Sequence, residues 1–288
     1  MPKKLEGVII ALPTPLTKDE NIDIASLRTL VDYCITEGTN GIMILGTMGE
    51  GASLLDCQRQ QMIESTVEQV NGRIPVLATA SGSSTRRNIE HVKAIDKSGA
   101  DYIVCTSPYY YKYPDPESLI QHIERIADIA DTPLIFYNAP LFTGNAVHTD
   151  ILERIIHMEK VAGIKDSSCN FGNFVELLRR YPDRETRPGT IMQGDESVFD
   201  SSLLMGADGV VSGGGVAFIK LLTQLYGAAV SNDRMRSIQY QQQFSKQLSK
   251  LLTSDPQRNW LYSIKNELVK TRIISNAYVT APFPDSII

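Results

Sequence analysis

Lys165 ends the apolar run 161–165, within the stretch Gly163-Ile164-Lys165-Asp166. An amine held among apolar neighbours loses solvation of its charged form, so its pKa falls and free amine is present near neutral pH. Free amine is the species that attacks a carbonyl to form a Schiff base. The ordinary alternative is a lysine that reaches out to solvent and pairs with Asp166. Tyr137 ends a second apolar run, 133–138. A phenol there can pass protons to and from a carbonyl, a carbinolamine and a substrate hydroxyl, or it can be a rim aromatic packed under a loop.

Other residue groups offer weaker chemistry. Thr47, in Gly46-Thr47-Met48-Gly49-Glu50-Gly51, could link such a phenol to a second one through its hydroxyl, although a threonine in a turn usually caps a helix. The run Tyr109-Tyr110-Tyr111 is unusual on a loop, and exposed aromatics often serve subunit contacts. Gly213-Gly214-Gly215 before a helix could cradle a phosphate, but a tight turn with close backbone packing is the preferred reading. Asp195 and Glu196 could form an acid/base pair, ligate a metal or bind a polyol. Adjacent acids at a helix start more often simply favour the dipole.

The elements that must position these residues can be read from short apolar runs. Strands are expected at 8–12, 41–45, 75–80, 102–106, 133–138, 161–165, 190–193 and 209–212. They are too short for independent helices and rich in Val, Ile and Leu, as strands buried on both faces should be. Helical patterns lie between them at 24–37, 55–70, 88–97, 117–130, 150–158, 171–180, 198–205 and 219–230. Leu27, Leu30, Val31 and Cys34 share one helix face; Met62, Ile63, Thr66, Val67 and Val70 share another, with Ser53 and Asp56 resembling a capping box. Eight strand-then-helix units in series demand parallel strands with helical crossovers. The fold expected is α/β, a (β/α)8 TIM barrel over 1–230, with a C-terminal helical extension, 231–288, packed on it. Two helices, 235–252 and 259–274, separated by Ser254-Asp255-Pro256, fill the extension, and Trp260 there is assigned to the core. A doubly wound sheet is the alternative, but no GxGxxG opens the first unit. In a barrel, catalytic groups sit at the C-terminal ends of the strands, where Lys165, Tyr137 and Thr47 all fall.

Composition bounds the function. With 42% hydrophobic and 21% charged residues, the 288-residue chain can bury a sizeable core. A net charge of −5 argues against a nucleic-acid partner, which needs a basic patch. No run of about 18 apolar residues suggests a membrane span, and the start shows no signal-peptide pattern, so a cytoplasmic protein is expected. The four cysteines and four histidines show no metal-ligand spacing, and structural thiols are the expected role of the former.

Three segments, in order and each at a strand end, resemble the N-acetylneuraminate lyase and dihydrodipicolinate synthase superfamily. They are Gly46-Thr47-Met48-Gly49-Glu50, the Tyr137-Asn138-x-Pro140-x-x-Thr143-Gly144 stretch, and Gly163-Ile164-Lys165-Asp166. The resemblance implies that Lys165 forms the Schiff base with pyruvate or a longer 2-oxo acid and that Tyr137 is the proton-transfer phenol. It further implies that Thr47 belongs to the relay and that Tyr110 is the tyrosine supplied by a neighbouring subunit, in a homotetramer built as a dimer of dimers. Met48, Phe142, Gly194, Asp195, Glu196 and Val211 are the implied substrate-binding set.

Two departures from the family pattern matter. Met48 stands where a second hydroxyl is usual, which removes a donor to the substrate carboxylate, a bond worth about 1.5–3 kcal/mol. Phe142 stands where dihydrodipicolinate synthases carry an arginine for the second substrate's carboxylate. The expected reaction is therefore reversible aldol cleavage of a 2-oxo-3-deoxy sugar acid, resembling 2-keto-3-deoxygluconate, to pyruvate and an aldehyde. N-acetylneuraminate cleavage, sugar acid dehydration and dihydrodipicolinate synthase-like condensation are the alternatives. So are a 2-oxo acid-binding protein without turnover and a phosphate-gripping isomerase using Gly213 to Gly215. No cofactor or metal is expected, because the iminium is itself the electron sink.

Overall fold

Eight parallel strands close into a barrel in the computed structural model, which describes residues 5–113, 115–253 and 259–283. They are β1 (Gly7–Ala11), β2 (Gly41–Ile44), β3 (Val76–Thr79), β4 (Tyr102–Thr106), β5 (Leu134–Asn138), β6 (Val161–Asp166), β7 (Thr190–Gln193) and β8 (Gly209–Ser212). Each pairs with its neighbour in sequence, and β1 closes on β8 with Gly7 opposite Gly209 and Ile10 opposite Ser212. Every strand residue except Ala162 is buried. Barrel filling on one face and helix packing on the other explain why the runs read as continuous rather than alternating apolar sequence. The fourth, seventh and eighth strands match the expected bounds end to end; the others differ by a residue or so at their ends.

Helices cover the outside between strands, and the two C-terminal ones, Arg234–Thr253 and Trp260–Lys270, continue the same hydrophobic core. Phe244 is their main anchor: fully buried, its ring lies 6.1 Å from that of Phe199 and 6.3 Å from that of Phe218. Burial of one such ring stabilises by about 1.5–3 kcal/mol. Two short elements have no counterpart in the periodicity, a single helical turn at Pro140–Thr143 and a 3-10 turn at Gly214–Ala217. The capping assignment is corrected as well. The helix Asp56–Val70 has Leu55 at its N-cap, and the Gln58 side chain accepts from the Leu55 N–H at 2.9 Å. The separator Ser254-Asp255-Pro256 and the start at Met1 lie outside the described residues. Among those described, no helix is long and apolar enough to cross a membrane.

The strand ends at the C-terminal face carry unusual backbone. Leu45, Glu50, Tyr110 and Cys169 all have positive φ, at 60°, 54°, 87° and 56°. Residues with side chains pay for that conformation, and such strain gathers where a site over-determines its loops.

Candidate active site

Lys165 and Tyr137 are brought together by strand register. They are Cα partners on β5 and β6, so their side chains leave adjacent strands at the same height of the barrel. Two glycines allow close packing around the lysine, one against Thr190 of the next strand and one against the lysine itself. A Cβ on Gly163, which shares its strand face, would lie 2.2 Å from the Thr190 Cγ2. A Cβ on Gly194 would lie 2.0 Å from the Ser167 Oγ and 3.1 Å from the Lys165 Cε. Gly194 therefore serves the site by being absent from the lysine's space.

Lys165 is 5% exposed, with its Nζ 3.9 Å from the Tyr137 ring centroid and 3.5 Å from the Met43 Sδ. Burial lowers its pKa; the Tyr137 phenol, by charge and hydrogen bonding, and Glu196 offset part of that fall. The alternative pairing with Asp166 does not occur. That carboxylate instead accepts from the Asn138 Nδ2 at 2.7 Å and from the Ser168 Oγ and N–H at 2.6 and 3.0 Å. Burial raises the Asp166 pKa, and these Ser168 and Asn138 bonds restrain the rise.

A cavity of about 580 Å³ opens above the lysine. Thr47, Met48, Tyr137, Phe142 and Val211 line it, together with Gly194, Asp195 and Glu196. Among the described residues on its wall, Lys165 is the only cation. A smaller cavity of about 290 Å³ shares Thr47, Tyr137 and Phe142 and runs on toward Thr79, Ser81, Thr106 and Tyr109. Among the described residues its one guanidinium is Arg59, buried and committed to the backbone, donating from Nη1 to the Gly51 carbonyl at 2.5 Å and from Nη2 to that of Thr79 at 2.6 Å. Tyr110 lines neither cavity of its own chain and is 83% exposed.

The glycine run after β8 is not an open phosphate cradle. Glu196 Oε1 accepts from the N–H groups of Gly214 and Gly215, at 2.9 and 3.3 Å, and from the Ser212 hydroxyl. Those donors are the ones a phosphate would need. Burial raises the Glu196 pKa, and the Ser212 and glycine bonds counter it. Glu196 and Asp195 are not a matched pair either: Asp195 Oδ1 caps Ser197, at 3.0 Å from its N–H and 2.7 Å from its Oγ.

Some lining residues escape residue-type reasoning. Trp260, assigned to the core from sequence, is 38% exposed and lines both cavities. Ser245, Leu248, Ser249 and Leu252 of the helix Arg234–Thr253 wall the lysine cavity. Their spacing of three and four marks one helix face, a signal present in the sequence but not tied to the site. Cys34 and Cys105 are buried, as structural thiols should be, but Cys57 and Cys169 are exposed and Cys169 lines the lysine cavity.

A model of the dihydrodipicolinate synthetase family matches residues 4–285. The chain is 34% identical to the 4-hydroxy-tetrahydrodipicolinate synthase of Methanothermobacter thermautotrophicus over 209 residues, 73% of this chain and 74% of that protein. Among solved structures, the dihydrodipicolinate synthase of Bacteroides thetaiotaomicron superposes with a TM-score of 0.91 at 31% identity, covering 98% of this chain and 94% of that one. The chloride-inhibited dihydrodipicolinate synthase of Acinetobacter baumannii, solved with pyruvate, gives 0.88 at 29% identity, covering 98% and 94%.

Proposed function

The chain belongs to the dihydrodipicolinate synthetase family, and from that premise we propose that it is a Schiff-base-forming lyase acting on a 2-oxo acid through Lys165. The observation that carries this reading is the buried amine of lowered pKa, 3.9 Å from the Tyr137 ring, facing the larger cavity. Lys165 attacks the 2-oxo carbon, and loss of water from the carbinolamine leaves an iminium. Tyr137 removes the proton of the C4 hydroxyl. The C3–C4 bond then breaks, its electron pair flows into the iminium, and an aldehyde leaves. Protonation of the enamine and hydrolysis return pyruvate and the free lysine.

For the second substrate we favour the aldehyde of a 2-oxo-3-deoxy sugar acid. A second carboxylate finds no free cation on the described wall, with Phe142 in the loop and Arg59 bound to carbonyls. Asp195, Ser197, Ser245 and Ser249 on that wall suit hydroxyls instead. A second reading, condensation of the dihydrodipicolinate synthase type, is favoured by the names that the relatives carry. Tyr110, projecting from the surface, is proposed to complete the site of a neighbouring subunit in a homotetramer.

The test is to incubate the protein with pyruvate and sodium borohydride and map the modified peptide. Reduced pyruvate on Lys165 supports the lyase, and a folded protein without adduct removes it. Product formation from 2-keto-3-deoxygluconate, set against pyruvate consumption with aspartate semialdehyde, which bears a second carboxylate, separates the two readings.

A further inference from the structure

The loop after β2 places Thr47 and Met48 on the wall of the lysine cavity, and its backbone is strained. Leu45 and Glu50 have left-handed φ of 60° and 54°, and a Cβ on Gly51 would lie 2.0 Å from the Leu45 carbonyl oxygen. From within, the turn is closed by the Glu50 N–H to the Thr47 carbonyl and the Gly51 N–H to that of Gly46, both 3.2 Å, and by the Ser53 N–H to the Glu50 carbonyl at 2.9 Å. Such a conformation persists where surrounding groups enforce it.

Glu50 is 4% exposed, and a carboxylate this buried needs partners. They come from the far end of the chain. One carboxylate oxygen pairs with the Lys265 ammonium; the other accepts from the Thr280 N–H at 2.6 Å and its hydroxyl at 2.9 Å. Lys265 is fully buried and also donates to the Tyr278 carbonyl at 2.6 Å. Glu50 thus has both oxygens engaged, and what it holds is the loop.

We propose that Glu50 is a positioning residue of the 2-oxo acid site, clamped by Lys265 and Thr280 so that Thr47 and Met48 stay in register with Lys165. This rests on the reading of Lys165 as the imine-forming amine. The C-terminal extension then acts on substrate capture through the loop that carries those two residues.

The test uses the full chain with Glu50→Gln, Thr280→Val and, as the conservative control, Thr280→Ser. Half-saturating pyruvate is measured by borohydride trapping, and amide exchange is followed in the 45–51 peptide and in those of β5 and β6. Glu50→Gln is expected to raise half-saturating pyruvate about tenfold and Thr280→Val about threefold, with trapping at saturation near the unaltered protein's rate. Thr280→Ser restores the parent value. Exchange accelerates in 45–51 and stays unchanged in the two strands. Parent-like half-saturation in folded Glu50→Gln, or faster exchange spread evenly over the barrel, overturns the proposal. If the unaltered protein traps no pyruvate, the Lys165 reading fails by itself, and the exchange pattern alone decides the clamp: local loosening supports it, and its absence overturns it.

Discussion

Tyr137 and Lys165 are register partners on adjacent parallel strands, and the lysine Nζ lies 3.9 Å from the centroid of the phenol ring. The two groups therefore share one buried pocket, and the phenol offsets part of the fall that burial imposes on the lysine pKa.

Imine trapping is expected to rise with pH through an inflection below the ordinary lysine value of 10.5, because burial lowers the Lys165 pKa. Trapping rates measured across pH at saturating pyruvate test this. An inflection at or above that value would contradict the desolvation argument.

Lys165→Met is expected to abolish trapping while stabilising the fold by about 1 kcal/mol at neutral pH, since function there is traded against stability. The sign follows from linkage. Between the lowered folded pKa and 10.5 the unfolded chain binds more protons, so the unaltered protein gains stability as pH rises through that window. The advantage of Lys165→Met should shrink over the same window, as followed by denaturant unfolding at several pH values.

Tyr137→Phe keeps the ring beside the Lys165 amine and removes the hydroxyl. Turnover is expected to fall by roughly 10²–10⁴, the usual worth of a positioned acid/base group, with the borohydride adduct still forming on Lys165. Equal loss of turnover and of adduct would mean that the phenol acts mainly in imine formation.

Met48→Thr restores a hydroxyl to a buried wall position of the lysine cavity. Half-saturating pyruvate should fall about tenfold, the lower range for a hydrogen bond to a charged group. An unchanged or higher value would show that the backbone N–H at this position already suffices.

Asp208 lies before β8, at the opposite end of the barrel, and pairs with Arg187 at 2.8 Å, both side chains at most 2% exposed. Its Oδ2 also accepts from the Ile191 N–H at 2.8 Å. Asp208→Ala should cost about 3–5 kcal/mol of stability, the penalty for leaving a buried cation unpaired, without moving half-saturating pyruvate in the fraction that stays folded. Chemical denaturation with parallel trapping checks both halves.

The eight strand positions, the order of the barrel and the placement of Lys165 and Tyr137 at strand ends were legible from residue order alone. Their physical basis is local: a strand buried on both faces must be apolar throughout, and a polar residue ending such a run marks the mouth of a barrel. Gly194, Asp195 and Glu196 were legible as neighbours of the site but not in their parts. Whether Glu196 faces a ligand or caps Gly214 and Gly215 depends on how β7 and β8 lie together. The clamp on Glu50 was not legible at all, because its partners stand 215 and 230 positions away, and the periodicity of the helix that carries Lys265 does not say what that residue meets. Trp260 reached the mouth of the cavity for the same reason, since the packing of the last helices decides which face looks inward. Periodicity thus determined which residues line up along each element. Only closure of the barrel, which brings distant segments into contact, decided which of them meet.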